Sequence, residues 1–308
     1  MNDLFIAFSN SFTALALCMA VGFICRKTGM LNDEHTTGLT NLLVRVAMPC
    51  TVFMALMRPF SRTLLFESMA TFVISGVIYI LSGFIGLWLV KLMKSPPGER
   101  QSLQFGIAFG NIAFMGIPVV TAVFGYEGLI YVSMAMASFN IIAFSWGVLM
   151  FDNAPRKINF LGLIKRNPVL PFTVIGFIFF VTELRLPQAL EGGISLIGGL
   201  TTPVSMILLG VILAKQSLKN AFKTARLFLP VTVKLILIPL ATWLVLRPVI
   251  HNPLMLNVIV TLMAMPPGVL TAIFAEQYDA DSFGAAKFVV LGTILCVVTV
   301  PILSLLLS

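Results

Sequence analysis

FGNIAFMGIPVVTAVFG, Phe109 to Gly125, is apolar enough to cross a membrane, yet it holds an asparagine, glycines at 110 and 116 and a proline at 118. A stable helix wants none of these, because proline removes an amide donor and crowds the preceding turn, and glycine loosens the backbone. Backbone groups freed in hydrocarbon survive only beside protein or a wet cavity. The stretch therefore reads as a broken transmembrane helix, with Asn111, Gly116 and Pro118 around the break.

The rest of the chain supplies the membrane context. Of 308 residues, 58% are hydrophobic and 10% charged, and the mean hydropathy is +1.01; this is a polytopic membrane protein with no room for a soluble domain. Apolar runs of about 20 residues predict spans at 4–25, 36–57, 64–92, 101–124, 128–151, 163–182, 188–213, 224–247, 254–277 and 283–307. The first has no cationic leader before it and reads as a retained helix.

Loop cations set the orientation. Arg26, Lys27, Lys91, Lys94, Arg100, Arg156, Lys157, Lys165, Arg166, Lys215, Lys219, Lys223 and Arg226 fall on one side, against Arg58, Arg62, Arg185 and Arg247 on the other. Both termini are thus expected outside the plasma membrane. The net charge of +8 belongs to this inner rim and to anionic lipid, and does not indicate nucleic acid. Cys18, Cys25, Cys50 and Cys296 lack CxxC spacing and read as core thiols, and His35 and His251 lie in loops. That pattern offers no metal site, no cofactor and no nucleophile–base pair, so an enzyme is not expected.

A repeat carries the architecture. MGIPVVTAVF (Met115–Phe124) lies over MPPGVLTAIF (Met265–Phe274) at an offset of 150 residues, with Met, Val, Thr, Ala and Phe in place. Pro49 and Pro203 echo each other, as do Tyr126 and Tyr278. Five spans separate equivalent points, an odd number, so the halves 1–155 and 156–308 are expected to be inverted repeats. In the second copy Thr261 takes the place of Asn111, and Pro266, Pro267 and Gly268 make the break. Two half-helix N-termini meeting at mid-depth favour an anion.

GNIAFMGIPVVTAVFGYEG (Gly110–Gly128), MPPGVLTAIFAEQYDAD (Met265–Asp281) and TNLLVRVAMPCTVFMAL (Thr40–Leu56) resemble the auxin efflux carriers, a family that includes plant PIN-formed auxin exporters and bacterial dicarboxylate permeases. The resemblance runs along nearly the whole chain. It implies an all-α protein of ten transmembrane helices in two five-helix inverted repeats, with substrate held where the broken fourth and ninth helices cross. It matches Asn111, with Ile112 beside it, to the crossover asparagine and Lys234 to a basic position in the eighth helix, and it admits a homodimer. Phe139 stands where plant members have glutamine, with Asn140 next to it, which argues against auxin itself.

Charges inside spans need a reason, since insertion costs about 2.5–3.5 kcal/mol each. Lys287 is near enough to its helix end to snorkel. Arg45, nine residues into the second span and ahead of Pro49, is a candidate gate or substrate charge. Lys234, near mid-depth, suits either substrate or a tether between helices. No Asp or Glu falls at mid-depth, and Glu67, Glu183 and Glu276 lie toward span ends. The expected activity is a carrier of small organic anions, with export as a uniport driven at ~2.3 kcal/mol per charge per 100 mV. A sodium- or proton-coupled symporter and a membrane ligand sensor are the alternatives.

Overall fold

With no water to bond in hydrocarbon, each apolar run closes its backbone hydrogen bonds internally as a helix. The computed structural model describes residues 2–151, 168–215 and 218–305, and all the named elements are helical. Among the described residues seven helices are long and apolar enough to cross a membrane. They are α1 (Asn2–Lys27), α2 (Asp33–Leu56), α3 (Arg62–Leu92), α6 (Tyr126–Gly147), α8 (Gln188–Lys215), α9 (Ala225–Leu246) and α12 (Ser282–Ser304). Shorter apolar helices are α5 (Ile112–Phe124), α7 (Val169–Thr182) and α10 (Pro253–Met263); α4 (Pro97–Ala108) and α11 (Leu270–Gln277) adjoin α5 and α10, and a short helix at Leu218–Lys223 precedes α9.

The helices follow the predicted spans closely, except that 101–124 and 254–277 each divide in two, as α4 and α5 and as α10 and α11. The start of the span predicted at 163–182, the junction between the two proposed halves, and Arg156, Lys157, Lys165 and Arg166 lie outside the described residues. Large apolar side chains left exposed, such as Phe66, Trp88 and Leu196, form the surface that faces lipid.

Helix ends use ordinary polar chemistry. The Asn32, Ser61, Asn252 and Asp281 side chains accept amide protons at the starts of α2, α3, α10 and α12. After α1 the chain turns at Gly29, whose φ of +80° suits glycine. Arg26 and Lys215 then pair with Asp33 at 3.1 and 2.5 Å, tying α1, α2 and α8.

Close backbone approach builds the interior. A Cβ on Gly22 would strike the Ile207 carbonyl, and one on Gly210 would strike the Met19 carbonyl and come within 2.9 Å of Phe23 N. The two glycines thus face each other's helices where α1 crosses α8. Thr51 on α2 donates to Gly198 O at 2.8 Å and meets the Thr201 hydroxyl at 2.7 Å. Cys296 is buried, whereas Cys18, Cys25 and Cys50 are half-buried, so only one of the predicted core thiols lies in the core; all four are free.

Three helices widen by one residue just before a proline. Met48 N bonds Leu43 O ahead of Pro49, Ile117 N bonds Ile112 O ahead of Pro118, and Ile238 N bonds Val233 O ahead of Pro239. The wider turn makes room for the proline ring against the carbonyl four residues back and lets the helix continue.

Candidate functional site: the crossing of two broken helices

The chain leaves α4 at Phe109 (φ −115°, ψ 105°) and re-enters helix after Asn111 (φ −79°, ψ 65°). The second gap runs from Ala264 to Val269, between α10 and α11. The two gaps supply each other's missing partners. Gly110 and Pro267 form an isolated antiparallel bridge, in which Asn111 N donates to Pro266 O at 2.7 Å and Gly268 N donates to Phe109 O at 3.1 Å. Phe109 and Pro266 play the same role in this pair, as do Asn111 and Gly268, so the equivalent residues are 157 apart.

This corrects the placement of the first break. Pro118 and Gly116 do not interrupt the helix; Pro118 is absorbed by the widened turn Ile112–Gly116, and the open backbone lies upstream, at Phe109–Asn111. The sequence match at an offset of 150 is seven residues out of step with the pairing of the gaps. Seven residues are just under two helical turns, so the shift keeps the same helix face. Thr261 consequently sits inside α10, buried with its hydroxyl unpartnered, and Gly268 holds the place equivalent to Asn111.

Small residues make the crossing fit. A Cβ on Gly110 would lie 3.1 Å from Met265 O and 3.3 Å from Lys234 Nζ. Pro267 is held from two sides: a Cβ on Gly292 would approach its Cδ to 2.5 Å, and one on Gly106 its Cβ to 3.2 Å. Neither Gly106 nor Gly292 stands out in the sequence, because each is legible only from the proline it packs against.

A cavity of about 430 Å³ opens at the crossing. Gly110, Asn111, Ile112, Gly268 and Leu270 form one wall, and Met136, Phe139, Asn140 and Phe144 of α6 another. Thr36, Thr40, Val44 and Met48 of α2 line it at four-residue intervals, a stripe about 18 Å long. Thr36 and Thr40 direct their hydroxyl protons to Asn32 O and Thr36 O, which leaves oxygen lone pairs. Phe139 is fixed edge-on between Tyr79 and Phe109, at 5.8 and 5.4 Å.

Among the described residues the lining holds no charged side chain, and beside the Thr36 and Thr40 hydroxyls its polarity lies in two amides. Asn111 is 3% and Asn140 4% exposed, and the Nδ2 of each has no hydrogen-bond partner. Asn111 cannot simply turn over, because its Oδ1 caps Phe114 N at 3.2 Å. Buried amide donors without acceptors are costly and rare. Both α5 and α11 also begin on this wall, which sets the positive ends of their helix dipoles beside the cavity, while first-turn amides such as Phe114 N, Thr271 N and Ala272 N are already bonded to Asn111 Oδ1, Gly268 O and Val269 O.

The cations predicted within spans lie elsewhere. Lys234, 1% exposed, sits in the widened turn Val233–Leu237 behind Gly110. Among the described residues no carboxylate lies within ion-pair reach of it. Arg45 is exposed beside Leu42 and Val46, away from the cavity. Lys287 Nζ lies 4.3 Å above the Phe283 ring. A polar group that sequence reading passed over is Glu67: it accepts from Tyr131 OH at 2.6 Å and from Asn252 Nδ2 at 2.9 Å. Asn252 also caps α10, so Glu67 joins α3, α6 and the first half of the second broken helix.

An all-helical, polytopic membrane protein with two broken helices crossing at an internal cavity belongs structurally among the membrane carriers. Residues 8–304 match the family model described as membrane transport protein, and the chain belongs to that family, the auxin efflux carrier group of transporters. It is 25% identical to a protein of Methanothermobacter thermautotrophicus that bears the name "Uncharacterized transporter", over 99% of this chain and 100% of that one. It is 22% identical to the Escherichia coli transporter YfdV over 94% of each. A Rhizobium meliloti protein with the name "Putative malonate transporter" is 24% identical over 85% of this chain and 84% of that one.

Proposed function

We propose that the protein is a secondary carrier of small organic acid anions, exporting them by potential-driven uniport through alternating access at the crossing. The observation that carries this is the pair of asparagines on the wall of a largely apolar cavity, Asn111 and Asn140, each with a buried Nδ2 that has no acceptor. Donors that lack acceptors call for a ligand that accepts, and the two helix N-termini on that wall favour a negative one. A carboxylate with a short apolar body meets both demands. The name carried by the Rhizobium relative points to the same chemical class.

The reading includes ten transmembrane helices in two inverted halves, residues 1–155 and 156–308, both termini outside the plasma membrane, and rocking or sliding of one part against the other. The inverted halves rest on the matching segments Met115–Phe124 and Met265–Phe274, and the antiparallel crossing of the two gaps at Gly110 and Pro267 is compatible with them. The homodimer rests on family resemblance alone. The deciding measurement is anion flux in liposomes with potassium and valinomycin setting the voltage. Flux should rise as the substrate side becomes more negative and persist with no proton or sodium gradient; uphill transport that requires either ion overturns the uniport.

Lys234 fits this reading as a source of positive potential behind Gly110. Burying an unpaired charge costs several kcal/mol, so a neutral side chain of similar volume tends to stabilise. Lys234→Met is expected to raise the Tm of substrate-free protein by about 2–4 °C, the shift that about 1 kcal/mol makes in a chain of this size. The same variant should weaken anion binding roughly tenfold. A fall in Tm with unchanged binding would make the lysine a tether.

Glu67 favours a second reading, proton-coupled symport, because it is a half-buried carboxylate bonded to the residue that caps α10. Glu67→Gln preserves an acceptor for Tyr131 and Asn252 but removes the ionisable group. Under uniport its flux at fixed voltage should stay within about twofold of wild type, the effect of one exchanged hydrogen bond being small. Loss of pH-driven uphill transport in this variant would select the symporter.

A further inference from the structure

A second cavity, of about 420 Å³, lies between α3, α4 and α6. It shares no lining residue with the crossing: α6 turns Phe139, Asn140 and Phe144 to one, and Trp146, with Leu149 and Met150 just beyond Gly147, to the other. Its cation is Arg100. The guanidinium donates from Nη2 to Ser95 O at 3.3 Å, while its Nε is buried with no acceptor. Among the described residues it makes no ion pair. The neighbouring amides are already engaged, Gln101 Nε2 with Phe151 O and Gln104 Nε2 with Gly83 O, both at 3.2 Å.

Two aromatic side chains, Phe84 and Trp146, stand on the same wall. Trp146 packs against Gly83, where a Cβ would come within 2.3 Å of the ring, and lies 5.6 Å from the Phe84 ring. From Phe84, 55% exposed, the outer face of α3 continues through Trp88, 66% exposed, to Leu92 at four-residue steps. The cavity therefore begins at the half-buried Arg100, whose Nε is enclosed, and runs out onto the surface that faces lipid, with Lys91 and Lys94 exposed at the end of α3.

We infer that this cleft is a binding site for an anionic phospholipid, its phosphate held by Arg100 and its acyl chain laid along Phe84, Trp88 and Trp146. A guanidinium offers a planar fork that matches phosphate oxygens, and its unused Nε–H is the donor such a ligand completes. Basic pockets between helices at the headgroup level recognise anionic lipid in this way. A free phosphate would satisfy Arg100 but would leave the aromatic track uncovered, so the two sources are separable.

The test uses the full chain in detergent. Phosphatidylglycerol, phosphatidylcholine and inorganic phosphate are titrated separately, with retained lipid read by native mass spectrometry and stability read as Tm. Phosphatidylglycerol should bind at least fivefold more tightly than phosphatidylcholine and raise Tm, inorganic phosphate should do neither, and Arg100→Gln should erase the difference between the two lipids. In the Trp88→Phe, Trp243→Phe background, where Arg100 is intact and Trp146 is the remaining tryptophan, phosphatidylglycerol with brominated acyl chains should quench the fluorescence more than its phosphatidylcholine counterpart. Equal quenching by both lipids, a preference that survives Arg100→Gln, or full stabilisation by inorganic phosphate would each overturn the proposal.

Discussion

Gly210→Val should lower the Tm by about 5–10 °C, whereas the same change at Gly192 or Gly193 on the same helix should leave it nearly unchanged. A Cβ at Gly210 would run into the Met19 carbonyl of α1, and the neighbouring α1 backbone atoms Met19 C and Phe23 N lie 2.8 and 2.9 Å from it. None of these is the flexible end of a side chain, so the helices must separate. Gly22 makes the reciprocal approach to Ile207, and separation therefore loosens both contacts at once. Overpacking of this kind costs about 1–3 kcal/mol and more where backbone must move, each kcal/mol being worth about 2–4 °C. Gly192 and Gly193 have nothing within 4 Å of a Cβ, so they control for helix propensity. Equal Tm changes at all three positions would show that α1 and α8 are not locked by backbone contact.

The largest functional effect is expected from Asn111→Ala combined with Asn140→Ala. Each variant alone should weaken anion binding roughly 10- to 150-fold, the range for losing a hydrogen bond of about 1.5–3 kcal/mol to a charged group. The double variant should abolish measurable flux. Fold should persist, because both Nδ2 atoms are unpartnered without ligand and their removal deletes buried donors that nothing in the protein satisfies. Asn111 carries one structural duty, the cap on Phe114 N, worth about 1 kcal/mol. Asn111→Ser, whose hydroxyl can still cap, separates the two roles: stability should recover and binding should not. Binding at wild-type strength in Asn111→Ala, measured by thermal shift against mono- and dicarboxylates, would remove the amide from the site.

Much of this was readable in the chain because membrane insertion is a local test. A run of about 20 apolar residues must become helix wherever it lies, and α1, α2, α3, α8, α9 and α12 fall within a few residues of the runs that predict them. Asn111, Gly268 and Asn140 stand out from sequence as polar or breaker residues in apolar surroundings, and all three line the cavity. Arg45 and Lys234 stand out for the same reason but do not line it. Hydropathy reports that a charge is costly without reporting which side of the helix bears it.

Sequence by itself determined that the protein is helical, crosses the membrane many times and has two segments whose backbone cannot run straight. Tertiary structure alone decided where those segments open. A proline can be absorbed by a widened turn, as Pro49, Pro118 and Pro239 are, or it can end a helix, as Pro266 does. The outcome depends on whether a partner exists for the freed groups. At Phe109–Asn111 the partner is Pro266–Gly268, and its two hydrogen bonds hold the chain open where the local sequence offers only a glycine and an asparagine. Lys234 and the glycines that cradle Pro267 take their meaning from the same contact, which no window along the chain contains.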